Sequence, residues 1–198
     1  MPSTHARSSS RHSNERRRLI RRHWLPLGRF LRSLAPEGGT SIPSSPDFLS
    51  FADATRLPED LSWRGGLFRL ARDYGIARGL LGPAPSAGQG ELSARFDREF
   101  DRFLLEAAAR LARRRLRAAR QDRLSTALRL RFVELAGVDE IERRLALTPS
   151  GARRHLGWAE QVLRDCLRIV LSAGPGPREE VDRELVRLLD QLDRRVSR

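Results

Sequence analysis

The sequence predicts an all-α fold: two small helical domains joined by a flexible linker. Three observations carry this. Apolar residues recur at three- and four-residue spacing along the chain, no segment shows a strand pattern, and one Gly/Pro-rich segment interrupts the helical pattern near the middle. With 198 residues the chain is long enough to bury a real core and too short for a large multidomain enzyme. A hydrophobic share of 39% beside 32% charged residues suits thin amphipathic helices.

The elements follow in order. Residues 1–22 are expected to form a disordered basic tail, because Met1–His23 holds seven arginines, one acid (Glu15) and almost nothing to bury. The tail lacks the apolar stretch of a secretory signal, although an Arg/Ser-rich, acid-poor start also resembles an organellar transit peptide. Residues 23–81 form the first expected domain. Leu19, Ile20, His23, Trp24, Leu27, Phe30, Leu31 and Leu34 mark one helix face over Leu19–Leu34, stopped by Pro36 and Gly38-Gly39. Ser45-Pro46-Asp47 opens a short helix bearing Phe48, Leu49, Phe51, Ala52 and Leu57. Ser62 caps a third, Trp63–Leu81, striped by Leu67, Leu70, Ala71, Tyr74, Ala77 and Leu81. Gly65, Gly66, Gly75 and Gly79 each weaken that helix by about 1 kcal/mol, so tertiary contacts must hold it.

Gly82–Gly90 reads "GPAPSAGQG" and places the linker at residues 82–93. The second domain, 94–172, opens with a long helix, Phe96–Ala119. One side carries Phe96, Phe100, Phe103, Leu104, Ala107, Leu111 and Leu116; the other carries six arginines between Arg110 and Arg120. Arg123–Leu135 is the next helix, ended by Gly137. A short helix over Asp139–Leu147 then turns at Ala146–Pro149 into Ser150–Leu171, with Thr148 as N-cap and Pro149 at the first helical position. "GPGP" at Gly174–Pro177 breaks the chain before a last amphipathic helix, Arg178–Val196, within the final segment 173–198.

All 38 basic residues are arginine, which points to a GC-rich genome and makes the total charge of +13 a poor guide to function. Its distribution says more. The tail carries +6 and Ala94–Ser172 carries +7, whereas Trp24–Ser93 and Ala173–Arg198 are each neutral. Cys166 is the lone cysteine, and four scattered histidines show no metal-ligand spacing, so a metal-free, cofactor-free cytoplasmic protein is expected. No apolar run approaches the roughly 20 residues that would cross a bilayer. No GxSxG elbow or GxxxxGK phosphate loop is present, and an enzyme is not expected.

Val138–Leu167 fits a helix-turn-helix, in which the second helix enters a DNA major groove. On that helix Ala152, Leu156, Ala159, Leu163 and Leu167 form the inward face, leaving Ser150, Arg153, Arg154, Gly157, Trp158 and Gln161 outward. Arginine donates two hydrogen bonds to one guanine edge, which makes Arg153 and Arg154 the best candidates for base contact. Any antiparallel helix pair with a short turn shares this pattern, so the pattern alone leaves DNA binding open.

A resemblance adds to it. "FDREFDRFLLEAAARLARR", "VDEIERRLALTPSGARRHLGWAEQVLRDCLR" and "REEVDRELVRLLDQL" resemble, in that order, the C-terminal half of the extracytoplasmic-function group of bacterial sigma factors, in the variant typical of planctomycetes and myxobacteria. That resemblance implies a region-four-like domain in which Ser150, Arg153, Arg154 and Trp158 face promoter DNA, with core RNA polymerase as a partner and an anti-sigma factor as a further one. "HWLPLGRFLRSL" and "WRGGLFRLARDYGIARGLL" resemble, more faintly, the region-two helices that melt and read the minus-ten element. On that footing Trp63, Arg64, Arg69, Arg72 and Tyr74 would stack on and hold an unpaired strand; the alternative places Trp63 and Tyr74 in the core. The stretches "SPDFLSFADATRLPED" and "GWAEQVLR" depart from the family's clamp-gripping and basic runs. They point to weaker, less salt-sensitive DNA binding, and to a second reading: a sigma-like adaptor that binds a protein partner without reading DNA. A third reading is a local repressor or activator that binds through the C-terminal half alone.

Overall fold

The computed structural model describes residues 14, 16–34, 44–55, 57–58, 61–81, 88–172 and 178–196. It is all-helical over them: α1 (residues 16–22), α2 (Trp24–Leu34), α3 (Ser45–Ala54), α4 (Trp63–Ala77), α5 (Gln89–Ala118), α6 (Asp122–Phe132), α7 (Val138–Leu145), α8 (Pro149–Ser172) and α9 (Arg178–Val196). The chain divides into two compact units, residues 1–103 and 104–198, with the division inside α5. Among the described residues no helix is long and apolar enough to cross a membrane.

In the first unit, the helix expected over Leu19–Leu34 is broken at His23, the turn residue between α1 and α2. The cause is Pro26. It has no N–H to donate to the carbonyl four residues back, that of Arg22, and its ring crowds that carbonyl. The amides on either side do pair, His23 with Leu19 O at 3.0 Å and Leu27 with His23 O at 3.1 Å.

The tail expectation is also corrected at its end. Residues 16–22 are helical, Ile20 is fully buried, and Arg16 donates to Ala52 O and Thr55 O, at 2.9 and 2.8 Å. Those carbonyls close α3; Ala52 O also accepts from the Thr55 amide at 3.3 Å, so Arg16 adds a second donor there and supplies one to Thr55 O. Residues 1–13 lie outside the described residues.

Helix α3 starts as its sequence dictates, with Ser44 Oγ accepting from the Asp47 amide at 3.3 Å, and Pro46 in the first turn. It ends before Leu57. Helix α4 is capped by Ser62, whose Oγ accepts from the Gly65 amide at 3.0 Å. It stops at Ala77 rather than Leu81 because Gly79 takes a left-handed φ of 66°. Leu80 N–H then reaches Gly75 O and Gly79 N–H reaches Ile76 O, the paired bonds of a Schellman closure. The core gathers Leu27, Phe30, Leu31, Phe48, Leu67, Leu70, Ala71, Tyr74, Phe96 and Phe100, with Phe30 edge-on to Phe96 at 5.2 Å.

The linker expectation is corrected too. Helix α5 begins at Gln89, so residues 89–93 are helical, with Leu92 buried; residues 82–87 lie outside the described residues.

In the second unit, α8 packs against α6, α7 and α9. Its buried Ala152, Leu156, Ala159, Leu163 and Leu167 are the five expected inward residues. Helix α6 ends at Phe132, not Leu135; Leu135 takes a positive φ of 56°, and Gly137 serves as the N-cap of α7. Val181, Leu185, Leu188 and Leu192 of α9 are buried as the periodicity requires.

Candidate nucleic-acid interface

Helix α7 is only eight residues long and is shaped by its charges. Asp139 and Glu140 sit in its first turn and Arg143 and Arg144 in its last, each sign at the helix end whose dipole favours it. Glu140 pairs with both Arg143 and Arg144, and Arg144 also donates to Glu134 at 2.8 Å, which in turn holds Arg129 at 2.7 Å. This surface chain ties the end of α6 to α7. Glu134 and Glu140 are thereby committed to Arg129, Arg143 and Arg144.

A three-residue turn follows, Ala146–Leu147–Thr148. Ala146 adopts the left-handed conformation, φ 49° and ψ 51°, at the position where glycine is favoured. Thr148 then caps α8: its Oγ1 accepts from the Gly151 amide at 3.2 Å and lies 3.3 Å from Ser150 Oγ. Pro149 occupies the first helical position, where its missing N–H costs nothing.

Ser150, Arg153, Arg154 and Trp158 are all exposed, Trp158 by 51%. Neither Arg153 nor Arg154 has an ion-pair partner among the described residues. One contributor was missed by the sequence reading. His155 hydrogen-bonds Gly151 O through Nδ1 at 2.9 Å, and its ring centroid stands 5.6 Å from that of Trp158. The i to i+3 spacing of His155 and Trp158 on a helix was the available signal.

The first-unit candidates fare differently. Tyr74 is 2% exposed and packs edge-on against Phe48 and Phe51 at 5.1 and 5.3 Å, so it belongs to the core and cannot stack on a base. Trp63 is half-buried and stacked on His23, with centroids 5.2 Å apart and planes at 23°. Arg64 donates from Nε to Asp97 at 2.8 Å and from one terminal nitrogen to Asp101 at 2.7 Å, with its side chain 12% exposed. It is an internal strut. Arg69 and Arg72 share Asp73, at 3.7 and 2.8 Å, and remain partly exposed. The structure therefore sets the α8 candidates on one open face, buries Tyr74, ties Arg64 into internal ion pairs and leaves Trp63 half-buried against His23.

His23 is the other notable group. It is 2% exposed, and neither ring nitrogen has a hydrogen-bond partner among the described residues. Burial, with the nearby Arg22 and Arg64 charges, lowers its pKa to about 4, so the ring is neutral at physiological pH. Cys166 is buried, and burial pushes its thiol up, against the opposing pull of Arg115. Among the described residues no group of three His, Cys, Asp or Glu side chains could hold a metal ion. No protein-family model matches the chain, and neither a curated protein nor a solved structure matches it.

Proposed function

We propose that this chain is a DNA-binding protein of transcription that reads duplex DNA through α8, and that it acts as a sigma factor of the extracytoplasmic-function type, directing core RNA polymerase to specific promoters in the cytoplasm. The observation that carries the DNA reading is the division of α8. One side is buried against α6, α7 and α9, while Ser150, Arg153, Arg154 and Trp158 at its N-terminal end are exposed behind a capped three-residue turn. Side chains at that end of a recognition helix are the ones that reach base edges. The sigma-factor assignment rests on the collinear sequence resemblance over Phe96–Leu192, and it implies promoter DNA, core RNA polymerase and an anti-sigma factor as partners.

Selection from a randomised duplex pool tests the DNA reading. The chain enriches a motif, and an Arg153→Ala, Arg154→Ala variant loses roughly 30-fold or more in affinity for it, since a bidentate arginine–base contact contributes about 1–3 kcal/mol. Co-purification with core polymerase and promoter-specific transcripts in a reconstituted reaction test the sigma assignment.

One observation favours a second reading. The burial of Tyr74, the internal pairing of Arg64 and the stacking of half-buried Trp63 on His23 leave the first unit fewer free groups to stack on a melted strand, which suits an adaptor that binds protein. Motif affinity unaffected by the double variant would select that reading.

A further inference from the structure

Helix α5 carries a surface that promoter reading by α8 does not use. Arg110, Arg113, Arg114 and Arg117 fall at i, i+3, i+4 and i+7, on the side opposite the buried Leu104, Ala108, Ala112 and Leu116. Arg115 falls outside this stripe, and its charge acts on Cys166 of α8, opposing the upward shift of that thiol. Between Glu106 and Asp122 there are six arginines and no acid. Arg110 pairs at 3.7 Å with Glu106 at the edge of the run, whereas Arg113, Arg114 and Arg117 have no ion pair among the described residues.

An arginine-rich composition does not explain this. Segment 173–198 has the same bias and matches six arginines with six acids, and its ion pairs include Arg187 with Glu184 and Arg178 with Asp182. Nor does the helix dipole, which rewards cations only in the last turn and so reaches Arg115 and Arg117 but not Arg110, Arg113 or Arg114. Four like-charge pairs at i, i+3 and i, i+4 oppose the helix in isolation, and a polyanion laid along them removes that repulsion.

We propose that this stripe is a sequence-neutral clamp for the phosphate backbone of duplex DNA. It spans ~10 Å of helix, and its guanidinium groups are suited to paired hydrogen bonds with phosphate oxygens. The proposal rests on the DNA reading of α8 but assigns a different role, since phosphate contacts set affinity and register while base contacts set sequence.

The test uses the full chain and a mixed-sequence 20-base-pair duplex, with affinity measured by fluorescence anisotropy between 50 and 200 mM salt. An Arg113→Gln, Arg114→Gln, Arg117→Gln variant lowers the slope of log affinity against log salt by about 2–3, so that salt costs it roughly 40-fold less affinity across that range. A control with the same charge loss on α9, Arg178→Gln, Arg183→Gln, Arg194→Gln, leaves the slope within about 0.5 of the unaltered chain. The stripe variant melts no lower than the unaltered chain and enriches the same motif. Equal slope changes in stripe and control, or no change in the stripe variant, overturn the clamp. A lowered stripe slope with no enriched motif keeps the clamp and removes the base-reading role of α8, whereas an enriched motif with an unchanged stripe slope does the reverse. Failure of the unaltered chain to bind any duplex overturns both.

Discussion

Arg64 illustrates how one side chain can be diverted from the surface to the scaffold. Asp101 is 2% exposed, and its buried carboxylate depends on the Arg64 guanidinium, which also bonds the Asp97 side chain and Asp97 O. Removing the guanidinium that bonds a buried carboxylate is costly, so Arg64→Ala is expected to lower unfolding free energy by about 3 kcal/mol in urea titration, without loss of DNA affinity at sub-denaturing temperature. Lysine will not rescue it, because a single ammonium cannot fork across Asp97 and Asp101. The neighbouring His23 adds a pH dependence. Its pKa is about 4 in the folded chain and about 6.5 when unfolded, so below pH 6.5 protonation favours the unfolded state. The contribution is fully present above pH 6.5 and is lost as pH falls toward 4, to the extent of about 2–3 kcal/mol. Chemical denaturation at pH 7 and pH 4.5 measures it, and His23→Leu flattens that part of the profile.

At the scale of elements, the α7–turn–α8 segment is specified by complementary local signals with one exception. Charge placement sets α7, Thr148 caps α8, Pro149 fixes its first turn, and apolar spacing orients it. Ala146 is the exception, since a Cβ in the left-handed region costs about 1–2 kcal/mol. Glycine removes that cost and gives back part of the gain through the freedom of its unfolded chain. Ala146→Gly is therefore expected to stabilise the protein by about 0.5–1 kcal/mol, seen as a higher melting temperature, with the orientation of α8 and its DNA affinity preserved. A lower melting temperature would show that the turn is held in another conformation.

For the molecule as a whole, the placement of charge matters more than its sum. Arginine is spent three ways: in ion pairs that hold elements together, as at Arg17–Asp53, Arg64–Asp101 and Arg144–Glu134; in capping, as Arg16 caps α3; and on surfaces left open, at Arg153 and Arg154 of α8 and along α5. Exposed arginines occur in both units, at Arg18, Arg21, Arg95 and Arg98 in residues 1–103 and at Arg153, Arg154 and along the α5 stripe in residues 104–198, whereas Arg16 and Arg17 of α1 are absorbed by α3. A chain with +13 net charge binds polyanions weakly wherever its cations are free, and specificity then rests on which of them are held in place.

What the sequence by itself determined was everything carried by local periodicity and short-range chemistry. The all-helical class, the caps at Ser62 and Thr148, and the inward residues of α8 and α9 follow from spacings of three and four and from hydroxyls placed before apolar runs. The break at His23 was also within reach, because Pro26 forbids a continuous helix through Arg22. Tertiary structure alone decided which polar and aromatic side chains stay at the surface. Arg64 meets its partners 33 and 37 residues away, Tyr74 meets Phe48 and Phe51 from another helix, and Trp63 meets His23 across a turn and two intervening elements. A helical spacing fixes the direction in which a side chain leaves its own helix, but whether it meets a carboxylate, a ring or water there depends on distant segments, and no local pattern encodes that meeting.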